Sequence, residues 1–95
     1  MAMHIGVETF FLEITDGITL KDKRQVVRSL LDRARSRFRV AAAEVDHLDA
    51  PNFATIACVT VSNDQAVANQ VLETVAQMVE SEPRALVLER TLEFL

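Results

Sequence analysis

Thr19-Leu20-Lys21-Asp22-Lys23-Arg24-Gln25-Val26-Val27-Arg28-Ser29-Leu30-Leu31-Asp32-Arg33-Ala34-Arg35-Ser36-Arg37-Phe38-Arg39 is the stretch whose reading decides the fold. It holds eight of the chain's ten Lys and Arg residues, opposed only by Asp22 and Asp32. The rest of the 95-residue chain sets Arg84 and Arg90 against twelve carboxylates, and the whole has a formal charge of −4. At about 100° per residue, Val26, Val27, Leu30, Leu31, Ala34 and Phe38 gather on one arc of roughly 140°. The spacing predicts an amphipathic helix with that arc on the core. Thr19-x-x-Asp22 resembles a capping box, in which each side chain serves the other residue's backbone N–H. Lys21, Arg24, Arg28 and Arg35 line one flank of the arc. Lys23, Arg33 and Arg37 are assigned to the opposite flank. Basic heads at such borders reach solvent while their stems cover apolar surface.

Outward from the helix, the flanking segments read as strands. His4–Thr15 is rich in β-branched and aromatic residues and apolar at both parities, as a central strand is. Val40–His47 alternates, with Ala41, Ala43 and Val45 on one side and Glu44 and Asp46 on the other, as a half-buried edge strand does. Asp49–Asn52 is a turn. Phe53–Val61 is apolar at both parities and is expected to be the second central strand, in a hairpin with its predecessor. Ser62-x-x-Gln65 fits a second capping box, and Ala68, Val71, Leu72, Val75, Met78 and Val79 follow helical spacing until Glu82-Pro83. Ala85–Phe94 is the last strand. The order βαββαβ predicts a single α+β domain over 1–95: a ferredoxin-like sandwich with both helices on one face of a four-stranded antiparallel sheet. Right-handed crossovers place the first and third strands in the middle.

Composition narrows the function classes. A lone Cys58 excludes an internal disulfide and fits a reducing cytoplasm. The start of the chain shows no basic n-region before an apolar run, and no run is long enough to span a membrane. Asp16-Gly17 is an isolated glycine turn, not a phosphate-cradling loop. No nucleophile–base pair is visible, so the chain is expected not to be an enzyme and to need no cofactor. Glu44, Asp46, His47 and Asp49 contain carboxylates and one imidazole, but strand alternation turns His47 away from Glu44 and Asp46, so no metal site is expected. Cys58 lies mid-strand as a small core residue.

Three stretches together resemble a known family. Thr19–Arg24 is similar to a Ser-Leu-Lys-Glu-Lys-Arg signature. It is followed by Ser29–Arg33 and Arg37-Phe38, then by Ala43-Glu44-Val45-Asp46-His47 and Val61-Ser62-Asn63-Asp64. The pattern resembles the YlxP-like family of small bacterial proteins, formerly a domain of unknown function. That resemblance implies a ferredoxin-like fold, association with ribosomes or ribosome maturation, and no catalytic activity. Thr19 stands where the signature has Ser, and Ala50-Pro51 where relatives often carry a bulkier turn.

The functional expectation is a ribosome-associated RNA-binding module. Lys21, Lys23, Arg24, Arg28 and Arg35 are its candidate contacts with ribosomal or precursor rRNA, because cationic side chains neutralise phosphates and release counterions. The bland alternative for these residues is a solvated flank paired with Glu44 and Asp46. The sheet's outer face lacks the aromatic pattern of an RNA-recognition motif, and Glu44, Asp46, Glu89 and Glu93 would repel phosphate there. That face is the basis of the rival function, a dimeric protein-interaction or ligand-sensing module. Neither DNA nor membrane is an expected partner.

Overall fold

The computed structural model describes residues 1–17 and 19–95. Its elements run β1 (His4–Ile14), α1 (Leu20–Phe38), β2 (Ala41–Asp46), β3 (Phe53–Ser62), α2 (Gln65–Glu80) and β4 (Ala85–Phe94). The strands form one antiparallel sheet in the order β2-β3-β1-β4. The ferredoxin-like expectation holds, with β1 and β3 central and β2 and β4 at the edges.

Alternation in β1 sends Gly6, Glu8, Phe10, Leu12 and Ile14 inward and leaves Ile5, Val7, Thr9, Phe11 and Glu13 partly exposed on the other face. The inward residues join Ala54, Ile56 and Cys58 of β3 and the apolar stripes of both helices in one core. Both helices therefore cover the same face of the sheet, and no element of the described chain covers the other. Gly6 permits the close approach of α2: a Cβ there would stand 2.7 Å from Leu72 Cδ1.

The first capping box forms as read. Thr19 Oγ1 accepts from the Asp22 N–H at 3.1 Å, and Asp22 Oδ2 accepts from the Thr19 N–H at 3.2 Å. The second is corrected. The N-cap of α2 is Asp64, whose Oδ1 accepts from the Ala66 N–H at 2.9 Å. Ser62 instead accepts from the Asp64 N–H, orienting the cap one step earlier. Asp and Ser serve equally well as caps, so sequence alone left the choice open by two residues.

The edge strand also differs from the expected picture. Ala42 and Glu44 face the helices, while Ala41, Ala43 and Val45 lie exposed on the open face. The small side chains that suggested a buried side are on the solvent side. A bulge between Glu44 and Asp46, and another opposite Phe11 and Leu12, shift the register at both sheet edges.

Candidate functional site

The basic helix lies over β2 and β3. Lys21, Arg24, Arg28 and Arg35 are all exposed on its flank. Lys21, Arg24 and Arg28 have no ion pair or side-chain hydrogen bond with any described residue. Arg35 leans onto the sheet edge, where Nη2 donates to the Ala42 carbonyl at 2.5 Å, and it stands 3.7 Å from Asp32. That last pair is exposed on both sides and contributes little. Farther along α1, Arg37 and Arg39 are exposed as well. Arg39 caps the helix in the left-handed conformation at φ 55°.

Lys23 is corrected: it is not on the surface. Its side chain is fully buried, and Nζ donates to Glu44 Oε2 at 2.9 Å and to the carbonyls of His47, Leu48 and Phe53 at 2.8, 3.1 and 3.1 Å. Three N–H donors face four acceptors, so no capacity is left for a phosphate. The reason is angular. On a helical wheel Lys23 falls between Leu30 and Ala34, in the middle of the apolar arc and not on its flank. The ammonium thus pins α1 to the turn of the β2–β3 hairpin and neutralises the inward carboxylate of Glu44. The pairing expected of Glu44 with the basic flank exists only with this buried lysine. Asp46 instead accepts from the His47 N–H at 2.8 Å.

The hairpin turn held by Lys23 presents His47 at φ 61°. Its ring lies 5.0 Å from that of Phe11, and Phe11 stacks on Phe53 at 5.5 Å. His47 Nδ1 is 2.8 Å from Thr55 Oγ1. Phe11, His47 and Thr55, together with Thr9, Glu89 and Thr91, outline a depression of about 380 Å³ on the open sheet face. The four residues weighed as metal ligands do not converge, since Glu44 points inward and His47 outward. Among the described residues no three metal-ligating side chains gather.

Two further ionic clusters tie α2 and β4 into the fold. Arg90 reaches Glu8 at 3.1 Å, Glu73 at 2.5 Å and Glu80 at 3.3 Å. Burial pushes the Glu8 carboxyl above its usual range, and the Arg90 hydrogen bond opposes that rise only in part. Glu82 is held by Arg84 and Arg33. The Arg84 hydrogen bond brings the Glu82 carboxyl down to about 2. Burial raises the Cys58 thiol to about 11, so it remains protonated and unreactive at neutral pH. Arg90 and Glu8, and Arg33 and Glu82, are too far apart in the chain for sequence reasoning to pair them, and Glu82 and Arg84 meet two residues apart across Pro83, with no helix or strand spacing to announce it. Glu8 was still detectable as a carboxylate at an inward parity of a central strand.

A ferredoxin-like protein is what the topology and the helix-free sheet face define. The chain belongs to the family described as Protein of unknown function (DUF503), whose model matches residues 5–91. Two solved structures are similar in fold. One is a C-terminal segment of the alpha subunit of aIF2 from Pyrococcus abyssi, at TM-score 0.56 and 20% identity, covering 97% of this chain and 50% of that one. The present chain therefore spans half the length of that segment. The other is a dimeric ferredoxin-like protein of unknown function from Thermobifida fusca YX, at TM-score 0.51 and 16% identity, covering 100% of this chain and 92% of that one. Comparison with curated proteins gives no match. Among the described residues, no helix is long and apolar enough to cross a membrane.

Proposed function

We propose that the chain is a non-enzymatic RNA-binding module that engages ribosomal or precursor rRNA through Lys21, Arg24, Arg28 and Arg35 on α1, in the cytoplasm. The carrying observation is that Lys21, Arg24 and Arg28 stand exposed and unpaired among the described residues, in a chain of net charge −4. Fourteen carboxylates were available to neutralise them, and the fold spends its ion pairs elsewhere. Lys23 leaves the contact set, and its role becomes holding the helix that displays the others. The similarity of Thr19–Arg24 and Ala43–His47 to the YlxP-like pattern supports the ribosomal setting.

A stripe of this kind follows a phosphate backbone without reading bases. Binding is therefore salt-dependent, with log K falling against log salt at a slope of about −2 to −3 for three or four phosphates. Fluorescence anisotropy with labelled rRNA fragments across a salt series measures it. Reversing Arg24 and Arg28 to Glu lowers affinity at least ~30-fold at low salt and flattens the slope. Affinity that is indifferent to salt, or unchanged in that double variant, refutes the reading.

A further inference from the structure

We infer that the open face of the sheet is an interface with a second copy of this chain, packed face to face. The face is largely apolar. Ile5 and Val7 of β1, Val59 and Val61 of β3, and Ala41, Ala43 and Val45 of β2 share it, with Val45 53% and Val61 64% exposed. Ala57 continues the patch between Ala43 and Thr9. Contiguous apolar surface of this extent is unusual on a monomer.

Area fits such an occupant. Four strands about 4.8 Å apart, each about 33 Å long where they run ten residues, offer about 600 Å² per copy. Two such faces bury about 1,200 Å² in total, within the range of specific interfaces.

The edges argue for the face by contrast. β2 is short and bulged, and Arg35 occupies its Ala42 carbonyl. β4 is bulged against β1 and carries Glu89 and Glu93. Bulges, charge and brevity are the devices that discourage edge-to-edge pairing. The face carries no basic Lys or Arg and no such obstacle in its centre.

Charge then selects the packing. Glu89 and Glu93 of the face lie on β4 and Glu13 lies near the end of β1, while β2 at the other side presents Ala41, Ala43 and Val45, with Asp46 at its end beside Thr55. A two-fold axis parallel to the strands sets β4 of one copy over β2 of the other. The Glu89 and Glu93 carboxylates of the two copies stay apart at the outer margins, and Val7 of one copy meets Val59 of the other at the same level of the sheet. An axis across the strands would stack β4 on β4 and bring four carboxylates together. Both α1 stripes remain outside, so the dimer presents two basic surfaces on opposite sides.

Light scattering coupled to size exclusion tests the inference on the full chain. The wild type is expected at twice the 10.6 kDa chain mass, dissociating only on dilution. Val59→Glu raises the dimer dissociation constant at least ~100-fold. Ala43→Arg, at an exposed position that the monomer's core does not need, does the same with an unchanged circular dichroism spectrum. A wild type that stays at 10.6 kDa up to about millimolar concentration overturns the inference and leaves the face to another partner. A dimer that survives both substitutions but is broken by Leu88→Pro at the β4 edge also overturns it.

Discussion

Lys23 and Glu8 are both charged residues placed wholly inside the core, and their surroundings differ. Nζ of Lys23 meets four acceptors within 3.1 Å, one of them the counter-charge of Glu44. Glu8 has one oxygen on the Arg90 guanidinium at 3.1 Å, while its Oε2 has no hydrogen-bond partner among the described residues. A buried charge is tolerated when its hydrogen-bonding capacity is filled and is costly when part of it is not. Lys23 therefore acts as a fixed joint between α1 and the hairpin, on which both the basic stripe and the placement of His47 depend. Glu8 acts as a latent proton acceptor under α2, with its affinity for a proton raised by burial.

The sharpest way to break that contrast is Lys23→Met. It leaves Glu44 and three carbonyls unpaired beneath the helix, with a loss of about 3–5 kcal/mol in urea unfolding. Adding Glu44→Leu restores part of it, because the orphaned charge is removed while the carbonyls of His47, Leu48 and Phe53 stay unpaired. A loss below ~1 kcal/mol in the single variant would show that the ammonium is not holding the joint.

Glu82 and Glu8 sharpen the comparison through pH, because their shifts have opposite signs. Glu82 is depressed to about 2 in the fold against an ordinary 4.5, so its contribution is present above 4.5 and lost as pH falls toward 2. Glu82→Gln loses about 2–3 kcal/mol at pH 7, and the deficit closes over that acid window. Glu8 is raised, so the fold holds its proton more tightly than the unfolded chain does. Its stabilising share is present at and below pH 4.5 and is lost as pH climbs through the raised value. Glu8→Gln is therefore about as stable as the wild type at pH 7, within ~1 kcal/mol, and it lacks the relative gain of the wild type on acidification. Chemical unfolding at a series of pH values reads both variants. Curves of the same sign for the two carboxylates contradict the assignment.

The fold was legible because two signals agreed. The apolar parities of His4–Thr15 and Phe53–Val61 marked central strands, and the handedness of crossovers put β1 and β3 there independently. The edges were harder. A bulge moves Ala85–Phe94 out of strict alternation, so Leu86 shares the open face with Glu89 although they differ in parity. In β2 the alanines gave no direction, since Ala is as much at ease exposed as buried, and Glu44 was placed outside when Lys23 draws it in. Lys23 itself was readable at the centre of the apolar arc. Its charge points to the surface, but its angular position within the arc decides its burial. The pairing of Phe11 with His47 depended on a non-glycine residue at positive φ, which the sequence of the turn does not announce.

The smallest structural effect separates display from support on the same helix. Arg24→Glu with Arg28→Glu changes two exposed side chains that have no partner among the described residues. Surface substitutions away from caps and pairs shift stability by about 0.5 kcal/mol or less. Here the change also relieves repulsion along a basic flank, and Arg24 lies near the helix N-terminus, where a carboxylate suits the dipole. The urea midpoint therefore stays near the wild-type value while rRNA affinity and its salt slope fall. Conservative change at Lys23 produces the converse: Lys23→Arg is too bulky and too planar for the four-acceptor site. It costs stability, while rRNA affinity and its salt slope hold under conditions where the variant remains folded. If Arg24→Glu with Arg28→Glu unfolds the chain, the stripe is part of the architecture. If Lys23→Arg alters the salt slope of the folded protein, the buried lysine belongs to the binding surface after all.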